Sequence, residues 1–286
     1  MKKPGQNWSG FFDGQIGSLQ TDFYVATYPS LPFCRKNLSH MKKEWFAEWF
    51  DSPYYHTLYK NRDENEAQKT LDNLLKALDL PAGARILDLA CGKGRHARYL
   101  AEKGFDVTGL DISDASITFA RQFEHEHLAF YQHDMRHPFR INYFDAVMNM
   151  FTSFGYFETD RDHLLALKNV YRDLKPGGLF LLDYFNSEWV RQNLVRSDVK
   201  TVDGIEFHLK KNIQGEHVFK TVEFTTGSKH FHFRERVRLF SLTDFQTLFS
   251  SASLKLQCIY GSYNLDSFSA IDSKRLILIA QKPVTL

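Results

Sequence analysis

Residues 86–100 read "ILDLACGKGRHARYL". The run from 85 to 90 (Arg-Ile-Leu-Asp-Leu-Ala) has the length and apolar content of a buried strand, and from Gly94 to about residue 103 the pattern is that of a helix. Between them, Gly92, Gly94 and Ala97 satisfy the G-x-G-x-x-A spacing that lets a backbone turn approach a bound nucleotide closely. A second apolar strand follows over 105–110, so the stretch encodes one β-α-β unit with a right-handed crossover.

The same alternation extends in both directions. Upstream, residues 64–80 place Ala67, Leu71, Leu74, Leu75 and Leu78 on one helical face, and Pro81-Ala82-Gly83 ends that helix. Downstream, Ser113 caps a helix over 114–126, strands follow at 128–133 and 144–150, and Thr159 with Asp162 opens a helix reaching Leu174. "KPGG" (175–178) turns the chain into a strand over 179–185. A helix at "SLTDFQTLFSSA" and strands near 254–261 and at "RLILIAQK" complete the series. The fold expected is α/β: a Rossmann-like, mainly parallel seven-stranded sheet with helices on both faces.

Between 199 and 240 the period changes to two. Ile205, Phe207 and Leu209 alternate with Glu206, His208 and Lys210, and "NIQGEH" and "TTGSKH" supply turns, which predicts an inserted three-stranded antiparallel meander. The organisation expected is an extension without sustained period over 1–40, with Met41 as a possible second start, and a helical lid over 41–84. An α/β domain over 85–186 and 241–286 follows, with the inserted β subdomain at 187–240.

A chain of 286 residues, 43% of them hydrophobic, is long enough for one large α/β domain with a smaller attachment. A formal charge of +2 gives no global case for nucleic acid or a membrane. Cys34, Cys91 and Cys258 are not spaced as pairs, and neither a signal peptide nor a run of about 20 apolar residues is present, so a cytoplasmic location is expected.

Open parallel sheets bind ligands outside the carboxyl ends of their strands, and here those ends carry Asp88, Asp111, Asp134 and Asn149. A nicotinamide or flavin dinucleotide is one candidate ligand and an adenosyl cofactor without phosphates is another. Asp111, seventeen residues beyond Gly94, suits the ribose hydroxyls of either. Asp88 separates them, because its charge repels a pyrophosphate and attracts a cationic amino-acid and sulfonium group.

These residues carry a resemblance. "ILDLACGKG", "LDI", "HDM" and "LKPGGLFLLD" resemble, in order, the motifs of class I S-adenosylmethionine-dependent methyltransferases over roughly 54–281. The resemblance implies that Ala90, Gly92 and Gly94 shape the backbone around the methionine part of S-adenosylmethionine, with Asp88 beneath its ammonium. It implies that Asp111 binds the ribose diol, Ile112 packs on adenine, Asp134 accepts from the adenine amino group beside Met135, and Asn149 flanks the methionine moiety. Lys93 and Arg95 depart from the small residues usual in this turn; they leave the dinucleotide reading open and are otherwise expected to point to solvent.

The methyl acceptor is expected to be a small molecule reacting through nitrogen or oxygen. "MFTSFGYFE" (150–158) follows the fourth strand, so Phe151, Phe154, Tyr156 and Phe157 either wall an acceptor pocket, with Tyr156 as its polar tip and the catalytic candidate, or pack as core. "SPYYHTLYKNRDENEA" (52–67) is similar to the lid of small-molecule methyltransferases, including the sugar N,N-dimethyltransferases. That similarity implies Tyr55 over the methionine end and His56 or Arg62 on the acceptor. In "KHFHFRERVRLF", His230, His232, Arg234, Arg236 and Arg238 share one face, to be paired with carboxylates such as Glu223 or offered to an acidic partner. The opposite apolar face must be covered, and a second copy of the chain is one candidate. His125 with His127 and His133 with His137 lack further ligands at metal spacing, so no metal is expected. A methyltransferase-like binding subunit without catalysis and an NAD(P)-dependent oxidoreductase are the alternatives from other classes.

Overall fold

The computed structural model describes residues 45–60 and 64–284, so the expected extension over 1–40 and the acceptor candidate Arg62 lie outside the described residues. Helices α1 (Trp45–Phe50), α2 (Pro53–Leu58) and α3 (Glu64–Leu78) precede β1 (Arg85–Leu89), α4 (Arg95–Glu102), β2 (Asp106–Asp111), α5 (Asp114–Ala120), β3 (Leu128–Gln132) and β4 (Phe144–Asn149). Then come α6 (Asp160–Asp173), β5 (Leu174–Phe185), α7 (Ser187–Asn193), β6 (Ser197–Val202), β7 (Ile205–Gln214), β8 (His217–Thr226) and β9 (Lys229–Arg238). Helix α8 (Leu242–Ser251) leads to β10 (Lys255–Tyr260) and β11 (Arg275–Gln281).

Seven strands form one sheet in the order β10-β11-β5-β4-β1-β2-β3, and β11 alone runs against its neighbours. Its central strands are apolar almost continuously because both faces are buried. Along β11, Leu276, Leu278 and Ala280 pack on the face covered by α6 and α8, while Ile277 and Ile279 pack on the face that receives Leu71, Leu74 and Leu78 of α3. The same split places Leu87 and Leu89 of β1 on the first face and Ile86 on the second.

Local signals explain the helix starts. Ser113 accepts from the Ser116 amide at 3.0 Å, Thr159 from the Asp162 amide at 3.2 Å, and Ser241 forms a reciprocal capping box with Asp244. Helix α5 is shorter than its pattern predicts, giving way to one 3-10 turn at Arg121–Phe123. "KPGG" does not precede β5 but lies within it. Phe144 pairs with Leu174 and Ala146 with Leu179, so the four residues bulge out of the ladder, with Gly177 at φ +82° bonded to the Lys282 carbonyl.

The insertion is a four-stranded antiparallel sheet, β6-β7-β8-β9, rather than a three-stranded meander. Strand β6 is exposed along nearly all its length, so no burial imposed an alternation on its sequence. The apolar face of this sheet is covered by the chain itself: Trp49 and Leu58 of α1 and α2 bury against Phe207, Leu209, Val222 and Phe224. The expectation of a second copy on that face therefore loses its basis, since the surface it needed is occupied. On the other face the cations are engaged: His232 with Glu223 at 3.2 Å, Arg236 with the Phe157 carbonyl at 3.2 Å, Arg234 over the Phe219 ring and Arg238 near Asp160. Among the described residues, no helix is long and apolar enough to cross a membrane.

Candidate active site

The turn after β1 holds three residues at positive φ within five: Ala90 (+65°), Gly92 (+56°) and Gly94 (+76°). Gly94 is required twice over, because an added Cβ would lie 2.5 Å from the Phe130 ring. At Gly92 an added Cβ would meet nothing; the open space there belongs to the cavity it lines. The turn is pinned from β2, since the Gly92 amide donates to Asp111 Oδ2 at 2.7 Å and the Ser113 amide to Asp111 Oδ1 at 2.8 Å. Burial raises the pKa of Asp111 while these amides oppose the shift.

Beneath the turn, Asp88 is 2% exposed and its Oδ2 has no hydrogen-bond partner. Burial, together with the Asp111 charge, pushes its pKa up to about 7, against the Ala97 amide and Arg95. At the end of β4, Asn149 donates to the Leu89 carbonyl at 2.9 Å and leaves its buried Oδ1 unpartnered. Two orphaned acceptors under one turn fit a cationic ligand and oppose a pyrophosphate, whose negative charge would meet an uncompensated carboxylate. The dinucleotide reading fails on this ground.

The turn opens on a cavity of about 850 Å³, within the ordinary range for ligand sites. Tyr55, His56, Ala90, Gly92, Asp111, Ile112, Asp134, Met135, Phe154 and Tyr156 of the sequence-derived set line it; Asp88, Gly94 and Asn149 are not among its lining residues, and Asp88 and Asn149 are buried. Asp134 is gripped by Arg136 at 2.6 Å, and although burial pulls its pKa upward, Arg136 holds it below the usual carboxylate range. His56 lies 3.4 Å from Ser116 Oγ, beside the Asp111 end, and burial with Lys93 lowers its pKa to about 4, leaving it neutral. Lys93 and Arg95 also line the cavity rather than turning wholly to solvent; Lys93 sits over the Phe119 ring at 5.0 Å.

The aromatic loop divides between the two roles considered for it. Phe154 and Phe157 are 3% and 6% exposed and pack around His163 as core. Phe151 stacks on His96 with centroids 5.0 Å apart. Tyr156 rests on Phe50 and Trp45 at 5.3 and 5.7 Å, and burial, with Glu235 nearby, raises its phenol well above its usual pKa, so it stays protonated. His133 Nε2 contacts the His137 carbonyl at 3.0 Å and the His127 amide contacts His125 Nδ1 at 3.3 Å.

Residues 86–178 match the family described as a methyltransferase domain. Over 217 residues the chain is 30% identical to the Bacillus subtilis strain 168 protein named "Putative methyltransferase YqeM", spanning 72% of this chain and 87% of that one. The chain belongs to the class I S-adenosylmethionine-dependent methyltransferases. This methyltransferase is also 28% identical over 221 residues to the dTDP-3-amino-3,4,6-trideoxy-alpha-D-glucopyranose N,N-dimethyltransferase of Streptomyces venezuelae, covering 72% of this chain and 91% of the relative. A solved S-adenosylmethionine-dependent methyltransferase from Clostridium acetobutylicum shares its fold, with a TM-score of 0.67 at 18% identity over 80% of this chain and 96% of that one. S-adenosylmethionine is the cofactor of this methyltransferase.

Among the lining residues that the sequence pattern did not disclose, three are charged and belong to the second sheet. Lys211, Lys220 and Glu235 share the apolar parity of Phe207, Val222 and Phe233, so they point with the covered face of the second sheet into the cavity. Charged residues at apolar positions of three successive strands were the available signal. Glu235 Oε1 accepts from Lys220 Nζ and from Trp49 Nε1, both at 2.8 Å, and Lys220 also donates to Tyr59.

Proposed function

We propose that this methyltransferase moves a methyl group from S-adenosylmethionine to a nitrogen or oxygen of a small molecule in the cytoplasm. The observation that carries this reading is a single cavity with two differently built ends. One end is the glycine turn with Asp111, Ile112, Asp134 and Met135; the other is a lobe with Phe50, Tyr55, Tyr59 and Tyr156. Relatives named as sugar N,N-dimethyltransferases support a nitrogen acceptor.

When bound, S-adenosylmethionine supplies a methyl group on a positively charged sulfur. The chain's part is alignment and exclusion of water, which supply about 7–11 kcal/mol where reacting atoms are held in line. In this reading Asp111 holds the ribose hydroxyls, Asp134 and Met135 the adenine, Ile112 its face, and Asp88 with Asn149 the charged methionine end under Ala90, Gly92 and Gly94. Tyr55 and Tyr156 both rest on Phe50 in that lobe, and Tyr156, protonated, donates to the acceptor rather than taking its proton. His56 belongs to the cofactor end on its contact with Ser116, and Phe154 supports the wall as core.

Calorimetric titration with S-adenosylhomocysteine, followed by transfer of labelled methyl to fractionated metabolites, tests the reading. Saturable binding and label in a low-mass product are expected. No heat at millimolar ligand sinks it, and binding with label only in protein or RNA replaces the small-molecule acceptor.

A further inference from the structure

The acceptor end holds a cationic side chain that no carboxylate among the described residues pairs at ion-pair distance. On the covered face of the second sheet, Lys211 of β7 stands directly opposite Lys220 of β8, and Lys220 opposite Glu235 of β9. All three line the cavity. Like charges directly opposite each other in a sheet are destabilising, and on a largely apolar face the cost is greater.

The charge of Lys220 is already used. Its side chain and that of Glu235 are each 13% exposed and meet at 2.8 Å, so together they are neutral. Lys211 is half-buried, and among the described residues its ammonium has neither an ion pair nor a hydrogen bond, while Lys60, at the cavity rim, is paired with Asp203. Burial and the neighbouring Lys220 push the pKa of Lys211 down, and Asp198 and Glu235 oppose the shift without cancelling it. Asp198 of β6, opposite Leu209 on the same face, and Glu235 offset the charge in part, but neither forms an ion pair with Lys211, and the lining groups Tyr55, Tyr59, Tyr156 and Asn193 are uncharged.

We propose that the methyl acceptor carries an acidic group, carboxylate or phosphate, and that Lys211 receives it. The proposal rests on the small-molecule methyltransferase reading above and narrows its acceptor to an anionic class. With Lys220 held by Glu235 and Tyr59, Lys211 is the cation free to turn onto a ligand, and the acid group it anchors fixes which atom of the acceptor faces the donor.

The full chain, with lysines carrying 13C at Cε, is titrated with inorganic phosphate, with succinate and, as the ionic-strength reference, with sodium chloride. The Lys211 resonance is assigned by its absence in Lys211→Gln. The expected result is a saturable displacement of that resonance by phosphate, succinate or both at millimolar concentration, with surface lysines moving no further than in chloride. Which arm saturates names the acid. In Lys211→Gln, competition of the same anion with dye binding in the cavity weakens by about tenfold, as for loss of a buried charge partner. A Lys211 resonance that moves only as it does in chloride overturns the proposal. S-adenosylhomocysteine calorimetry on the same sample separates the two claims: binding there without an anion response refutes the acidic acceptor alone.

Discussion

Asp88 is the residue on which the proposed cofactor end turns, and its burial makes two opposite demands. Its native carboxyl holds a proton to about pH 7, whereas the unfolded one does so only to 3.8, so the native state binds that proton more tightly. The resulting stability is full below pH 3.8 and is lost as the pH rises through about 7. Asp88→Asn removes the ionisation and, at pH 8, is expected to stabilise the protein free of cofactor by on the order of a few kcal/mol, the difference from wild type vanishing toward pH 4. The same substitution is expected to weaken S-adenosylhomocysteine by about tenfold at pH 7.5, because the ammonium loses its counter-charge. Denaturation midpoints across pH, read beside calorimetry, check both halves; a variant that is less stable and binds normally contradicts the role. Gly94→Ala tests the turn itself. With φ at +76° and Phe130 2.5 Å from the new methyl, a loss of about 1–3 kcal/mol and weaker cofactor binding are expected together.

At the scale of elements, the acceptor lobe depends on α1 and α2 lying over the second sheet. Phe224 is 2% exposed, and its ring lies 4.8–4.9 Å from those of Tyr54, Phe207 and Phe231. Phe224→Ala is expected to cost about 3–5 kcal/mol in chemical denaturation. S-adenosylhomocysteine affinity should change by less than about twofold, since no cofactor-end residue lies on that sheet and distant sites add independently; a large loss of affinity means the two sheets are coupled. The same contrast explains what the sequence disclosed. Strands β1, β4, β5 and β11 were legible because both faces are buried, and Ser113, Thr159 and Ser241 marked helices by capping chemistry. Strand β6, exposed on both sides, left no pattern. The partner of the second sheet's apolar face was illegible because Trp49 and Leu58 meet it from more than a hundred residues away. Asp88, Asp111 and Asp134 were readable from strand ends, but Lys211, Lys220 and Glu235 became a set only through strand register.

Across the whole molecule, the cavity joins two layers that carry different parts of the work. In the proposed reading, loops at the carboxyl ends of β1, β2, β3 and β4 form the donor end, and α1, α2 and the inserted sheet form the acceptor lobe. Ligand at one end should therefore stabilise the molecule globally yet order it locally. At a hundredfold excess over its Kd, S-adenosylhomocysteine is expected to add about 2.7 kcal/mol to unfolding by mass action. Amide exchange should slow at residues 90–97, 111–116 and 134–136, where the backbone amides of Gly92, Ser113 and Arg136 already brace the carboxylates proposed to hold the ligand. Exchange in β7, β8 and β9 should slow only with an acidic acceptor analogue, through Lys211. Hydrogen-exchange mass spectrometry reads both steps on one sample. Equal protection of both layers by S-adenosylhomocysteine alone would mean that donor binding also organises the acceptor lobe, and that the two ends close as one unit.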